Sequence, residues 1–177
     1  DGYWPAKQGR DALKVEWDTS AVTKPDTTAL LAQYRELAAK PGNVAMQADM
    51  APLAGAPHKI SAEFVFPYLA HAPMEPLNCT VKLDGDKAEL WMGTQMPGLD
   101  AMAAAKTLGL QPQNVKVNTQ MAGGGFGRRA IPTSDYVVEA CGVAKAARTA
   151  GITAPVRTLW SREDDIKGGY YRPMHVH

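Results

Sequence analysis

Apolar residues recur at helical spacing from Thr27 to Lys40, where Leu30, Leu31, Tyr34, Leu37 and Ala38 share one face and Pro41-Gly42 stops the run. The same reasoning predicts a short helix over Lys7 to Leu13, a helix over Pro97 to Leu108 ended by Gly109, and a helix from Asp135 to Ala150. In the last of these, Val138, Cys141 and neighbouring alanines form the inner face, Thr133 or Ser134 serves as cap, and Gly151 ends the helix. Alternation at period two predicts strands at Lys14 to Trp17 and at Lys59 to Pro67, the latter burying Ile60, Ala62, Phe64 and Phe66. Two further alternating runs, Leu77 to Leu83 and Lys87 to Gly93, flank Asp84-Gly85-Asp86, a strong hairpin signal. Asn114 to Gln120 and Pro155 to Trp160 complete the strands, the second read as buried, and a charged, glycine-containing turn follows it. The expected fold is therefore a mixed α+β unit with a largely antiparallel sheet and roughly four packed helices, organised as one unit over residues 1–177.

Composition supports a folded domain and narrows its partners. Hydrophobic residues make up 45% and charged residues 21%, which excludes disordered and fibrous classes. Lysine and arginine number 19 against 18 acidic residues, so no net field attracts a phosphate backbone or an anionic membrane, and nucleic acid is not an expected partner. Cys79 and Cys141 lie in no metal-type spacing and are read as small buried hydrophobes. The opening at Asp1-Gly2-Tyr3-Trp4 without methionine, and the stop at Met174-His175-Val176-His177, read as the ends of an internal fragment.

The candidate chemistry centres on Ala122-Gly123-Gly124-Gly125-Phe126-Gly127-Arg128-Arg129, a glycine cluster between a strand and a helix. Glycines there admit backbone conformations closed to other residues and expose amides. Amides near a helix start suit an anion, whether a phosphate, a pterin oxygen or a metal oxo ligand. A tight turn with close packing and no ligand is the alternative. The loop is not a Walker motif, since arginines stand where lysine and serine or threonine are needed, and the dinucleotide GxGxxG register is absent.

The segments Ala70-His71-Ala72-Pro73-Met74-Glu75-Pro76-Leu77-Asn78-Cys79-Thr80, Trp91-Met92-Gly93-Thr94-Gln95, Gly123 through Arg129, and Ser161-Arg162-Glu163-Asp164-Asp165 through Arg172-Pro173 follow one another in a recognisable order. Together they resemble the molybdenum-cofactor-binding subunit of the xanthine oxidase family. The double arginine and the Tyr-Arg-Pro ending are most similar to the branch holding isoquinoline 1-oxidoreductase beta subunits and related aldehyde dehydrogenases. The resemblance implies a molybdenum–pterin cofactor, as molybdopterin or its cytosine dinucleotide. It makes Gln95 the hydrogen-bond partner of an oxygen ligand on the metal. The amides of Gly124, Gly125, Phe126 and Gly127 then face the cofactor, with the Phe126 ring beside the substrate channel, and Arg172 lies on the substrate side of the metal, where positive charge stabilises developing negative charge. Glu75 is either a hydrogen-bonding group behind these residues or a cap on local amides. Glu163, Asp164 and Asp165 match no base and are read as a solvated turn.

By the same resemblance, the parent enzyme oxidises a carbon beside a heteroatom in an aldehyde or N-heteroaromatic. Purines are disfavoured because Ala130-Ile131-Pro132 follows the loop in place of an acidic residue. The general base lies in a part of the subunit beyond this chain. Electrons leave through a small [2Fe-2S] subunit, which two isolated cysteines here cannot replace, and a cytochrome c is a candidate acceptor. The family implies a periplasmic parent, and a fragment holding one wall of the cleft is expected to be inactive and to retain little cofactor. Two other readings compete. One is a non-enzymatic module binding a small anion, or aiding assembly, through Gly123 to Gly127; the other is a structural metal site from His71, His175 and His177.

Overall fold

A computed structural model describes residues 2–168 and 170–177; Asp1 and Gly169, part of the expected glycine-containing turn, lie outside the described residues. The chain divides into two compact units, Asp1–Val65 with Val176–His177, and Phe66–His175. The two behave differently.

In the first unit, α1 (Tyr3–Asp11) begins four residues ahead of the expected start, with Pro5 in its first turn, where a missing N–H costs nothing. Helix α2 (Thr27–Ala38) forms where the periodicity places it, and the Asp26 carboxylate accepts from the Ala29 amide at 2.7 Å to cap it. A single turn, α3 (Ala51–Ala54), follows. Two expected strands fail here. Lys14 to Trp17 is irregular, with Trp17 82% exposed, and within Lys59 to Pro67 only β1 (Val65–Phe66) is extended and paired, while Ile60 is 97% exposed. Alternation forms a strand only where a ladder partner and a surface to cover are both available; the second segment finds a partner only at its end, where Phe64 and His177 exchange backbone bonds at 2.9 and 3.0 Å. No described residue of this unit is buried.

The second unit is built on a four-stranded sheet in the order β4-β3-β2-β5. Strands β2 (Asn78–Asp84) and β3 (Lys87–Gly93) form the expected hairpin, with Asp84 opposite Lys87 and Gly85 at φ 57° in the tight turn. Helix α4 (Pro97–Leu108) starts on proline, ends on Gly109 at φ 73°, and carries the chain over to β4 (Val115–Gln120), parallel to β3. Helix α5 (Asp135–Thr149) packs on β2, and β5 (Val156–Leu159) closes the other edge antiparallel to β2. The core joins Cys79 and Val81 of β2, Ala88, Leu90 and Met92 of β3, and Val137, Ala140, Cys141 and Ala144 of α5. Burial of each large member stabilises by roughly 1.5–3 kcal/mol.

Several local expectations change. Val137, not Val138, faces the core; Val138 is 37% exposed because α5 enters one residue rotated from the periodicity. Ser134 precedes α5 in a left-handed conformation, φ 48°, and its hydroxyl makes no capping bond. Strand β5 is an alternating edge, not a buried strand. The acidic turn is instead helix α6 (Arg162–Lys167), capped by the Ser161 hydroxyl accepting from the Asp164 amide at 3.2 Å, and Asp165 is fully buried. Near the chain end, Leu69 and Arg172 pair as an isolated bridge, and His175, in β6 (His175–Val176), meets the Phe66 ring edge-on. No helix among the described residues is long and apolar enough to cross a membrane.

Candidate functional site

The glycine loop leaves β4 and crosses the end of β3, and each consecutive glycine meets a different neighbour. A Cβ on Gly123 comes within 2.5 Å of the Glu75 Cβ, one on Gly124 within 2.8 Å of Pro73, and one on Gly125 within 2.6 Å of the Gln95 side-chain oxygen. Close packing therefore explains all three. Gly124 also sits at φ 106° and Gly127 at φ 86°, and between them Phe126 holds φ 51° with its ring 80% exposed. A non-glycine residue held there costs roughly 1–3 kcal/mol, which the surroundings offset.

Two buried arginines supply that support, and the sequence reading had given them no role. Arg129 is sealed: its Nε donates to the Gly124 carbonyl at 3.0 Å, Nη1 to the Gly93 carbonyl at 3.1 Å, and Nη2 to the Glu75 carboxylate at 3.0 Å. It ties the loop to the end of β3 and to the segment before β2. Arg128 forms a two-point pair with Asp135 at 2.8 and 2.7 Å, and its guanidinium lies over the rings of Trp160 (5.4 Å) and Tyr170 (4.9 Å). Two adjacent arginines beside an apolar Ala-Ile-Pro run, with acids at Glu75 and Asp135 to receive them, were the available signal.

Among the described residues Glu75 caps no neighbouring backbone amide and instead hydrogen-bonds behind the glycine loop. Its Oε2 accepts from the Gly123 amide at 2.8 Å as well as from Arg129, while Oε1 accepts from Asn78 at 2.9 Å. Burial works against its charge, yet the donors from Gly123 and Asn78 and the nearby Arg129 and Arg157 outweigh it and hold the carboxyl below the usual range.

Gln95 is fixed from behind: its amide donates to the Arg129 carbonyl at 3.2 Å, and its Oε1 accepts from the Arg129 amide at 3.2 Å. A backbone N–H requires the oxygen of the carboxamide, so the exposed end is the NH₂ donor. Among the described residues nothing accepts from the amides of Gly124, Gly125, Phe126 and Gly127, whereas those of Gly123, Arg128, Arg129 and Ala130 are all engaged. Four consecutive donors are thus left without an acceptor among the described residues, with the Gln95 side chain packed at Gly125. The loop runs into a three-residue turn, Arg128–Ala130, and α5 starts only at Asp135, so the loop amides do not stand at the start of α5, where the helix dipole anticipated for them would act.

On the flank of the loop lies a hollow of about 670 Å³, lined by Phe126, Gly127, Ile131, Tyr170, Tyr171 and Arg172 among others. Arg172 donates to the Pro67 carbonyl at 2.9 Å and lies over the Phe66 ring at 5.7 Å. Gln95 is not among the lining residues; it meets the loop at Gly125, so the structure gathers Phe126, Gly127 and Arg172 in one hollow and Gln95 on the neighbouring stretch of loop. His71 reaches the hollow too, its Nε2 3.1 Å from Asp165, which also accepts from Arg162 at 3.0 Å. That engagement, and the packing of His175 on Phe66, removes the three-histidine reading; no group of three or more His, Cys, Asp or Glu among the described residues is placed to hold a metal. Cys79 and Cys141 are sealed in the core, and burial pushes both thiols up to about 12.

The sequence pattern of one family, described as the molybdopterin cofactor-binding domain, matches residues 36–177. The chain is 38% identical over 102 residues to the isoquinoline 1-oxidoreductase subunit beta of Brevundimonas diminuta, covering 57% of this chain and 12% of that protein. It is 32% identical over 115 residues to the aldehyde oxidoreductase molybdenum-binding subunit PaoC of Escherichia coli (strain K12), covering 65% and 15%. The chain thus spans about an eighth of the length of these curated relatives. The structure of aldehyde oxidoreductase from Desulfovibrio gigas superposes with a TM-score of 0.53 over 72% of this chain and 14% of that one, at 23% identity, and so shares the fold.

Proposed function

Because this chain belongs to the molybdopterin cofactor-binding domain family, we propose that residues 1–177 are one segment of the molybdenum-binding subunit of an oxidoreductase acting on aldehydes or N-heteroaromatics, and that this segment forms one wall of the cofactor cleft. The observation that carries the proposal is the run of four free amides, Gly124 to Gly127, with the Gln95 NH₂ beside it. Pterin oxygens and metal oxo ligands are acceptors, so the donor set fits the group the family binds. Bound there, the molybdenum–pterin group supplies the redox centre at which an electron-poor carbon is oxidised.

This chain's own residues hold and orient. The loop amides and the Gln95 NH₂ donate toward the group, with Arg129 and Glu75 keeping their geometry from the buried side. Phe126 and Arg172 bound the approach to the same region, and Arg172 offers positive charge to a heterocycle or carbonyl gaining electrons. The two carboxylates behind this region are not available as a base: Glu75 is committed to three donors and Asp165 is sealed. The general base therefore belongs to another part of the subunit. Cys79 and Cys141 are buried apart in the core and form no cluster-type ligand set, so electron transfer falls to an iron–sulfur partner chain and its acceptor, a cytochrome c among the candidates. By itself the segment is inactive.

The test is cofactor retention by the subunit that carries this segment. With the native sequence, molybdenum and pterin should approach one per subunit, while Gln95→Ala should keep most pterin and lose turnover of benzaldehyde and isoquinoline by roughly 10²-fold, the scale of a lost preorganised donor. Native subunit that carries neither molybdenum nor pterin contradicts the proposal. If the native subunit instead retained only phosphate, the small-anion module would replace it.

A further inference from the structure

Gln95 stands in the short connection between β3 and α4, and its two bonds to Arg129, both 3.2 Å, lie at the long end of the hydrogen-bond range. Those bonds alone leave a side chain with three rotatable torsions loosely aimed. Its neighbours in the chain are tied through a buried carboxylate outside the donor cradle. Asp100, in the first turn of α4, is 1% exposed. An acid at that place commonly serves the positive end of its own helix, yet here the carboxylate accepts from the Thr94 hydroxyl. A carboxylate only accepts, so Thr94 must donate to it, and the lone pairs of the same hydroxyl are left for the Met96 amide, which donates to it at 3.0 Å. One hydroxyl thus closes the chain over Gln95 and anchors it to α4. One place earlier, the Gly93 carbonyl accepts from the Tyr136 hydroxyl and from Arg129 Nη1, both at 3.1 Å. Burial, and after it the Asp100 carboxylate, pushes the Tyr136 phenol up, so it stays a donor.

We infer that Asp100 is a positioning residue: through the Thr94 hydroxyl it fixes the backbone on both sides of Gln95, and so the direction in which the Gln95 NH₂ points. Asp100 touches neither the glycine loop nor the hollow beside it, so its effect on either passes through Thr94 and Gln95. A donor held in place before its acceptor arrives pays no reorganisation when the two meet, and groups that orient such a donor from behind typically matter by roughly 10–100-fold. The part of Thr94 that the clamp uses is the hydroxyl, which serine also carries and valine lacks. The inference rests on the proposed function only in taking the cofactor as what the NH₂ meets.

The test is side-chain nitrogen relaxation of the isotope-labelled 177-residue chain by NMR, which reads the mobility of each glutamine carboxamide. In the native chain Gln95 should have an order parameter above about 0.6, and the exposed Gln33 and Gln47 values below it. Thr94→Val, which keeps the outline of the side chain and removes the hydroxyl, should bring Gln95 below about 0.6, as should Asp100→Ala, while Thr94→Ser keeps the native value. In the cofactor-loaded subunit, Thr94→Val should lower kcat for benzaldehyde roughly tenfold with KM little changed, and should add nothing once Gln95→Ala is already present. A native Gln95 as mobile as Gln33 overturns the inference, and that measurement needs no variant to fold. An unchanged Gln95 in folded Thr94→Val overturns it too, as does a loss in Thr94→Ser equal to that in Thr94→Val. The relaxation is read without cofactor, so a subunit that carries no molybdenum but keeps Gln95 clamped fails the proposed function alone. A loaded subunit whose Gln95 ignores the Thr94 hydroxyl fails this inference alone.

Discussion

Residues 2–65 and residues 66–175 carry apolar patterns of similar quality, yet only the second set closes over a core. Ile60 and Leu90 make the contrast concrete: both sit in alternating runs, and one is 97% exposed while the other is fully buried. Leu90 lies on β3 between two ladder partners and in one core cluster with residues of α5, all supplied by the chain itself. Ile60 has no such partners among the described residues of its unit. A periodic pattern thus states what a segment is able to cover, and whether it is covered depends on surfaces supplied elsewhere.

Substitutions of decreasing severity sharpen this contrast, each read by urea unfolding of the 177-residue chain. Arg129→Met should cost the most, about 3–5 kcal/mol, because it leaves the Glu75 carboxylate and the Gly93 and Gly124 carbonyls without their buried donor. Leu90→Ala should cost about 2–5 kcal/mol through a cavity in the sheet and helix core. Gly124→Ala, which forces a Cβ toward Pro73 at φ 106°, should cost about 1–3 kcal/mol and disturb the loop first. Ile60→Ser should change stability by less than about 0.5 kcal/mol. A large loss there, or none in Leu90→Ala, would break the distinction between the two units.

The remaining prediction concerns pH. The Glu75 carboxyl is depressed in the folded chain, so its contribution is fully present above its ordinary value of 4.5 and is lost as the pH falls through the folded value. The stability gap between the native chain and Glu75→Gln should therefore be wider at pH 7 than at pH 3. Equal gaps at both pH values would show that the carboxylate does not anchor the loop through its charge.

Most of the framework was legible because its signals are local. The Asp-Gly-Asp turn, the proline and glycine bounding α4, and the spacing of α2 each specify an element without reference to the rest of the chain. The resemblance names Gln95 and Gly124 to Gly127 as candidates, and the paired bonds between Gln95 and Arg129 show which end of the carboxamide faces outward, which no sequence pattern states. The arginines were not legible, since a guanidinium in sequence reads as surface until its acceptors, 54 positions away in the case of Glu75, are brought to it. Asp165 was misread for the same reason: beside Arg162 of its own helix, its partners His71 and Leu77 come from one distant segment, and only the fold shows that the third acid of the run turns inward.

Hydrogen–deuterium exchange on the cofactor-loaded and cofactor-stripped subunit tests the donor cradle most directly. Loading should slow exchange at the Gly124, Gly125, Phe126 and Gly127 amides by at least about tenfold, with the already bonded Arg128 and Ala130 amides changing far less. Protection spread over other surfaces with these four amides unaffected would contradict the account.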